Sequence, residues 1–356
     1  MQDIEVLGCV QQGIDFIKKI KKKNFLFSLV ISYTETCEIP GITVAGANLD
    51  FVKFTPAADA EFLHYGNCKC IDVIPMTPDG KPTPAILTKV ALEAASIPTI
   101  IINAGSKVLP NLPYLETGIK PGKNIALEAG LDRDSVTRAV EYGRIIGRFL
   151  GSSTDCLVIG ESIPGGTTTA LGVLKGFDVN AKVSSSMLSN PVKLKNKIVD
   201  SALKRFDTDD PFTVLANVGD PMIPTVSGML SSASESTNVL LAGGTQMAAI
   251  LAFSKKIGFK EKNTAIGTTS YIIEDKTANF VEMIKQICDV PILVAKLKLA
   301  ESEISGLRSY AEGFVKEGVG AGGASIASML KIGLDSSTLL SLTEKEYQRI
   351  TLQSQT

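Results

Sequence analysis

Two short stretches hold most of the chemistry this sequence can do. The first is Gly160-Glu161-Ser162-Ile163-Pro164-Gly165-Gly166-Thr167-Thr168-Thr169: a carboxylate, a pair of glycines, then three hydroxyls. It follows the apolar run Leu157–Ile159 and precedes the apolar run Ala170–Leu174. That context predicts a strand-to-helix turn, whose backbone N–H groups and hydroxyls gather at a helix N-terminus, where anions are favoured. Gly160 and Gly165 have the separation of a nucleotide-binding P-loop, but Gly166 stands where the lysine belongs and Thr167 at the magnesium ligand. Nucleoside triphosphate hydrolysis is therefore set aside. Binding of a phosphate monoester needs only N–H groups, the helix dipole and hydroxyls; the competing reading is a purely structural turn.

The second stretch is Glu317-Gly318-Val319-Gly320-Ala321-Gly322-Gly323-Ala324-Ser325. Gly318, Gly320 and Gly323 satisfy a G-x-G-x-x-G pattern, yet no clear strand precedes them and only 33 residues follow, too few for a dinucleotide fold. A carboxylate beside such a turn can instead be held against a ligand, where partial desolvation raises its pKa and suits it to accept a proton. Standing alone, Glu317 would read as a solvated surface acid. His64-x-x-x-Cys68-x-Cys70 offers three soft ligands without a fourth and fits no common zinc spacing, so no metal is expected. As the only histidine, His64 excludes any relay needing two, and no G-x-S-x-G elbow is present.

The elements that must position these residues read as short apolar runs, each ending in Gly or small polar residues and followed by a helical stretch. That alternation predicts an α/β fold with a parallel sheet and helices on both faces. Expected strands are Phe25–Ile31, Ile71–Ile74, Thr99–Ile102, Leu157–Ile159, Thr213–Leu215, Val239–Leu241, Ala265–Ile266 and Ile292–Val294. The loops after them are Asn103-Ala104-Gly105, Gly160-Glu161-Ser162, Asn217-Val218-Gly219-Asp220, Ala242-Gly243-Gly244-Thr245 and Gly267-Thr268-Thr269-Ser270. In an open parallel sheet such loops meet at the carboxyl edge, where ligands bind. Residues 134–150 read as an amphipathic helix packed on the sheet. At the ends, Val6, Val10, Ile14, Ile17 and Ile20 predict a helix from Val6 to Lys23, closed by a lysine run that complements the helix dipole. Further helices are expected over Ala295–Tyr310 and Gly323–Ile332, with Thr343-Glu344-Lys345-Glu346 as a capping box opening the last. The expected division is a large nucleotide-binding domain over 25–294 and a small helical domain from 1–24 and 295–356.

Composition narrows the partners. The 36 basic and 37 acidic residues give a net charge of -1, no field to draw in nucleic acid or an anionic membrane. Thirty-one glycines, no tryptophan and 6% aromatics suit backbone approaches to a small polar ligand more than an aromatic platform for bases. Six scattered cysteines fit a reducing cytoplasm. No basic-then-apolar leader and no long uncharged apolar run is present, so neither export nor membrane insertion is expected.

Taken together, the two glycine-rich segments resemble those of the nicotinate-nucleotide:dimethylbenzimidazole phosphoribosyltransferase family of cobalamin lower-ligand synthesis, most closely its divergent branch. The family's G-E-x-G-x-x-N-T-T loop is matched by Gly160, Glu161, Thr167 and Thr168, with Ile163 and Gly166 replacing its Gly and Asn. Its L-G-E-G-[ST]-G-A segment is similar to Val315-Lys316-Glu317-Gly318-Val319-Gly320-Ala321. Residues 218–223 and 241–244 look like two further family loops, and the layout extends over roughly residues 25 to 330. The family's N-terminal G-D-H-G-type loop has no counterpart, which leaves the accepted base open. The resemblance implies a modified Rossmann-like domain, a small domain from both chain ends and a homodimer. It implies Glu317 as catalytic base, with nicotinate mononucleotide and a heterocyclic base, dimethylbenzimidazole-like or adenine, as substrates and no cofactor. The implied substrate-binding residues are Glu161, Gly165, Gly166, Thr167, Thr168, Thr169, Gly219, Asp220, Gly243, Gly244, Gly318 and Gly320. The flat base needs an apolar slot, for which Met76, Pro84, Met222 and Leu297 are the guesses. A nucleotide-binding enzyme of another class and a non-catalytic binding protein remain as alternatives.

Overall fold

The computed structural model describes residues 3–45, 49–71 and 81–353. Its eight described strands are β1 (Ile4–Leu7), β2 (Phe25–Ile31), β3 (Thr99–Asn103), β4 (Leu115–Glu116), β5 (Cys156–Ser162), β6 (Asn238–Ala242), β7 (Thr264–Thr269) and β8 (Ile292–Ala295). They form one sheet in the order β1-β8-β7-β6-β5-β2-β3-β4, parallel throughout except that β1 runs antiparallel to β8.

Strand residues alternate between two apolar layers, as the period of two demands. Val30, Leu157, Ile159, Val239 and Leu241 face one cluster; Leu29, Ile31, Cys156, Val158, Leu240 and Ala242 face the other. Burial on both faces is why these strands read as continuous apolar runs. The first layer is covered by α5 (Arg133–Gly151), α6 (Gly166–Gly176), α7 (Val192–Leu203), α8 (Pro211–Val218), α9 (Met222–Ala233), α10 (Thr245–Ile257) and α12 (Phe280–Ile287). The second is covered by α1 (Val10–Ile20), α3 (Thr55–Tyr65), α4 (Ala85–Ala94), α13 (Ser305–Ala311), α14 (Ala321–Ile332) and α15 (Ser336–Gln353). The short helices α2 (Leu49–Val52) and α11 (Ser270–Ile273) complete the set. No helix among the described residues is long and apolar enough to cross a membrane.

Four expectations are corrected. Thr213–Leu215 is not a strand but the interior of α8, opened by Asp210, which accepts from the Thr213 N–H at 3.0 Å, and by Pro211 in the first turn. A three-residue apolar run carries no period, and the Asp-Pro signal decides it. The N-terminal helix starts at Val10 instead of Val6, because Ile4–Leu7 pairs with Ile292–Ala295 at the sheet edge. Ala295 ends β8, and the helix expected over Ala295–Tyr310 shrinks to Ser305–Ala311. The last helix opens at Ser336, where Asp335 accepts from the Thr338 N–H at 2.8 Å; Thr343 sits mid-helix, its hydroxyl donating to the Leu339 carbonyl. Of Ile71–Ile74, only Ile71 lies within the described residues.

The strand order places the site. From β2 the chain steps outward through β3 and β4, then returns to the other side of β2 and proceeds through β5, β6, β7 and β8. The order reverses between β2 and β5, and beyond the carboxyl ends of two such strands a crevice opens. Ile31 and Ser162 are paired at that point.

Candidate functional site

A cavity of about 350 Å³ occupies the crevice, within the roughly 300–1,000 Å³ of small-molecule sites. Its floor is the end of β5 and the turn into α6. Glu161 is 4% exposed, and burial, with the charges of Asp220, Glu317 and Asp59 adding to it, pushes its carboxyl up to about 8. Gly165 takes φ +75° at the N-cap of α6 and packs on Cys37, and Gly165, Gly166 and Thr167 line the cavity.

Glu317 reaches the cavity from a turn that feeds α14. The Val319 N–H donates to the Glu161 carbonyl at 3.1 Å, tying that turn to β5. The carboxylate of Glu317 accepts from the N–H groups of Thr269 at 3.0 Å, Gly318 at 3.2 Å and Gly322 at 3.1 Å, and from the Thr268 hydroxyl at 3.4 Å. Burial outweighs these donors and raises it to about 7, while part of its surface stays open to the cavity. Gly322 is required here: a Cβ would stand 2.2 Å from the Thr268 carbonyl carbon, so only glycine lets α14 approach β7 closely enough for its N–H to reach Glu317.

A third carboxylate, Asp59 on α3, also lines the cavity at 2% exposure. It accepts from the hydroxyls of Thr83 and Ser162, both at 2.7 Å, and burial raises it to about 6. Ser184–Ser186 form a further wall of the cavity, supported from behind by two buried lysines. Lys195 donates to the Ser184 carbonyl at 2.7 Å, and Lys316 donates to the Ser185 carbonyl at 3.0 Å while pairing with Asp275 at 3.4 Å. Burial, reinforced by the Lys316 charge, lowers Lys195 to about 7.

The structure brings Glu161, Gly165, Gly166, Thr167, Gly244, Glu317 and Gly318 to the cavity. Thr168, Thr169, Gly219, Asp220, Gly243 and Gly320 do not line it. Asp220 is fully buried, accepting from Thr169 and from the N–H groups of Met222 and Ile223 at the start of α9; burial raises it to about 6. Gly320, at φ +71°, caps α14 and lies against Gly160. Of the apolar guesses, Pro84 lines the cavity, Met222 and Leu297 pack elsewhere in the core, and Met76 is outside the described residues. His64 stacks edge-on to Tyr65, and among the described residues no three His, Cys, Asp or Glu side chains are arranged to hold a metal ion.

Sequence reasoning missed Asp59, the serine wall and both lysines. Lys195 left a signal: with Ile198, Val199 and Ala202 it occupies one face of α7, the buried one. Asp59 stood among Ala57, Ala58, Ala60 and Phe62 in a helix whose apolar residues go all round. A charge in either place points at a buried partner or a ligand.

A pocket lined by Asp59, Glu161 and Glu317 at the switch point of a mostly parallel sheet marks an α/β protein with a candidate small-molecule site. The phosphoribosyltransferase family model DBI_PRT matches residues 88–268. The UPF0284 protein of Archaeoglobus fulgidus is 45% identical, covering 94% of this chain and 96% of its own. That of Sulfurisphaera tokodaii is 46% identical, covering 92% and 94%. The chain belongs to the phosphoribosyltransferase family, in the branch that holds these archaeal proteins. In fold it is similar to the crystal structure of nicotinate-nucleotide–dimethylbenzimidazole phosphoribosyltransferase from Thermus thermophilus, with TM-score 0.61, 15% identity and coverage of 92% of this chain and 84% of that one. A structure of CobT from the same organism gives TM-score 0.60 and 14% identity, covering 94% and 88%.

Proposed function

We propose that the protein transfers the ribose phosphate of nicotinate mononucleotide onto a heterocyclic base, giving an α-riboside phosphate for a cobamide lower ligand. The observation that carries this reading is Glu317: a carboxylate raised to about 7, held by backbone donors and open to the cavity. The phosphate sits at the start of α6, beside Gly166 and Thr167, facing the serine wall that Lys195 and Lys316 support. The ribose lies near Glu161, which is protonated at neutral pH and so donates a hydrogen bond without repelling the phosphate.

The base attacks the anomeric carbon through a ring nitrogen. As the new C–N bond forms, the bond to nicotinate breaks and nicotinate leaves with its electron pair. Glu317 takes the proton from the azole nitrogen, and its charge stabilises the positive charge developing on the sugar. Inversion at the carbon gives the α-riboside.

The test is mass-resolved product analysis of the purified protein with nicotinate mononucleotide and a panel of azole and purine bases. Free nicotinate appearing with a riboside phosphate is expected; confirmed donor binding with no product from any base sinks the reading and favours a binding protein. We further infer a cytoplasmic homodimer. All six cysteines are free thiols, which supports a reducing compartment. An apolar stripe left exposed on α5, Tyr142, Ile145 and Phe149, supports self-association.

A further inference from the structure

Asp59 has no part in the chemistry above, yet it is a buried carboxylate on the wall of the same cavity. Its place relative to the reacting centre follows from its neighbours. Pro84 packs on the Glu317 turn, a Cβ on Gly318 falling 2.9 Å from its ring. Thr83, the residue before Pro84, donates to one oxygen of Asp59, and Ser162, the residue after Glu161, donates to the other. Asp59 therefore links the residue after Glu161 to the residue before Pro84, which packs on the Glu317 turn. The lining of the same cavity includes the apolar residues Ile42, Phe51, Ala58, Ile71 and Pro84.

A carboxylate has about four lone-pair positions, and the two hydroxyls occupy one on each oxygen. No lysine or arginine among the described residues pairs with it. A charged group desolvated this far, with no cation and no third donor among the described residues, is costly unless a ligand supplies a donor. The apolar walls accept a flat ring, and the carboxylate specifies what that ring carries at its edge.

Resting on the transferase reading, we infer that Asp59 is a specificity residue for the acceptor: it selects a flat heterocycle bearing an N–H donor, such as an exocyclic amine, over one edged by methyl groups. The methylated base would leave the carboxylate unpaired, and a site built to hydrogen-bond a substrate discriminates strongly against the analogue that lacks the donor.

The experiment is a competition between adenine and 5,6-dimethylbenzimidazole with nicotinate mononucleotide, read as the ratio of kcat/KM for the two bases. The native protein prefers adenine by about 10-fold to 100-fold, the range of one hydrogen bond to a charged group. Asp59→Asn lowers that ratio at least about tenfold. A ratio is insensitive to the fraction of folded variant, and a merely structural Asp59 would depress both bases equally and leave it unmoved. Thr83→Val keeps the carboxylate but removes one internal donor, so it retains the preference. Native indifference between the bases, an unmoved ratio in Asp59→Asn, or loss of preference in Thr83→Val each overturns the role given to Asp59 while leaving the transferase standing. No riboside from either base overturns the transferase reading and this inference with it.

Discussion

Glu317 accepts from Thr268, Thr269, Gly318 and Gly322 and is still raised to about 7. Its acceptor form grows in as pH rises, so kcat/KM should climb between about pH 6 and pH 8. Glu317→Gln removes that limb and lowers kcat by about two to four orders of magnitude, with donor affinity little changed. A pH profile with and without the substitution checks both parts, and full turnover in the variant removes Glu317 from its role. Glu161 makes a different prediction. Its pKa in the fold, about 8, lies above that of an unfolded glutamate, so its contribution to stability is full below about pH 4 and is lost as pH rises through the folded value. Glu161→Gln stays neutral, and should lose less melting temperature than the native protein between pH 6 and 9. The difference amounts to a few kcal/mol at about 1.4 kcal/mol per pKa unit. Parallel losses would mean that Glu161 titrates normally.

Close helix approaches separate elements that only hold the fold from those that also serve the site. On α5, a Cβ at Gly147 would stand 2.3 Å from the Met229 carbonyl oxygen of α9; on α14, Gly322 meets β7 as closely. Gly147→Ala and Gly322→Ala should each cost about 1–3 kcal/mol by overpacking. Only Gly322→Ala should also cut kcat, since it withdraws a donor from Glu317. Thermal melts beside turnover measurements distinguish the two, and equal activity loss would show that the damage is global. The strands were legible where buried runs ended in glycine, and β2, β3, β5, β6, β7 and β8 all fall where expected. The errors, β1, α8, α13 and the start of α15, lie where a run is too short to carry a period or where pairing with a distant strand overrides a helical pattern.

At the scale of the molecule, the two glycine-rich segments were legible because each carries its own turn geometry. Asp59, the Ser184–Ser186 wall and the lysines were not, because what makes them part of a site is contact across the fold: Asp59 meets Ser162 and Lys316 meets Ser185 only after the sheet is assembled. The α5 stripe bears on assembly. The proposed homodimer predicts sedimentation at about twice the chain mass. Ile145→Glu combined with Phe149→Glu should shift the protein to single chains, whereas an unchanged dimer would place the interface elsewhere.

The pairing of Ile4–Leu7 with Ile292–Ala295 also sets a clock on synthesis. At about 5–20 residues per second, the first strand waits roughly 15 to 60 seconds on the ribosome before its partner is made. Through that interval its backbone edge is open to other chains. Protection of that edge falls to whatever attends the emerging polypeptide.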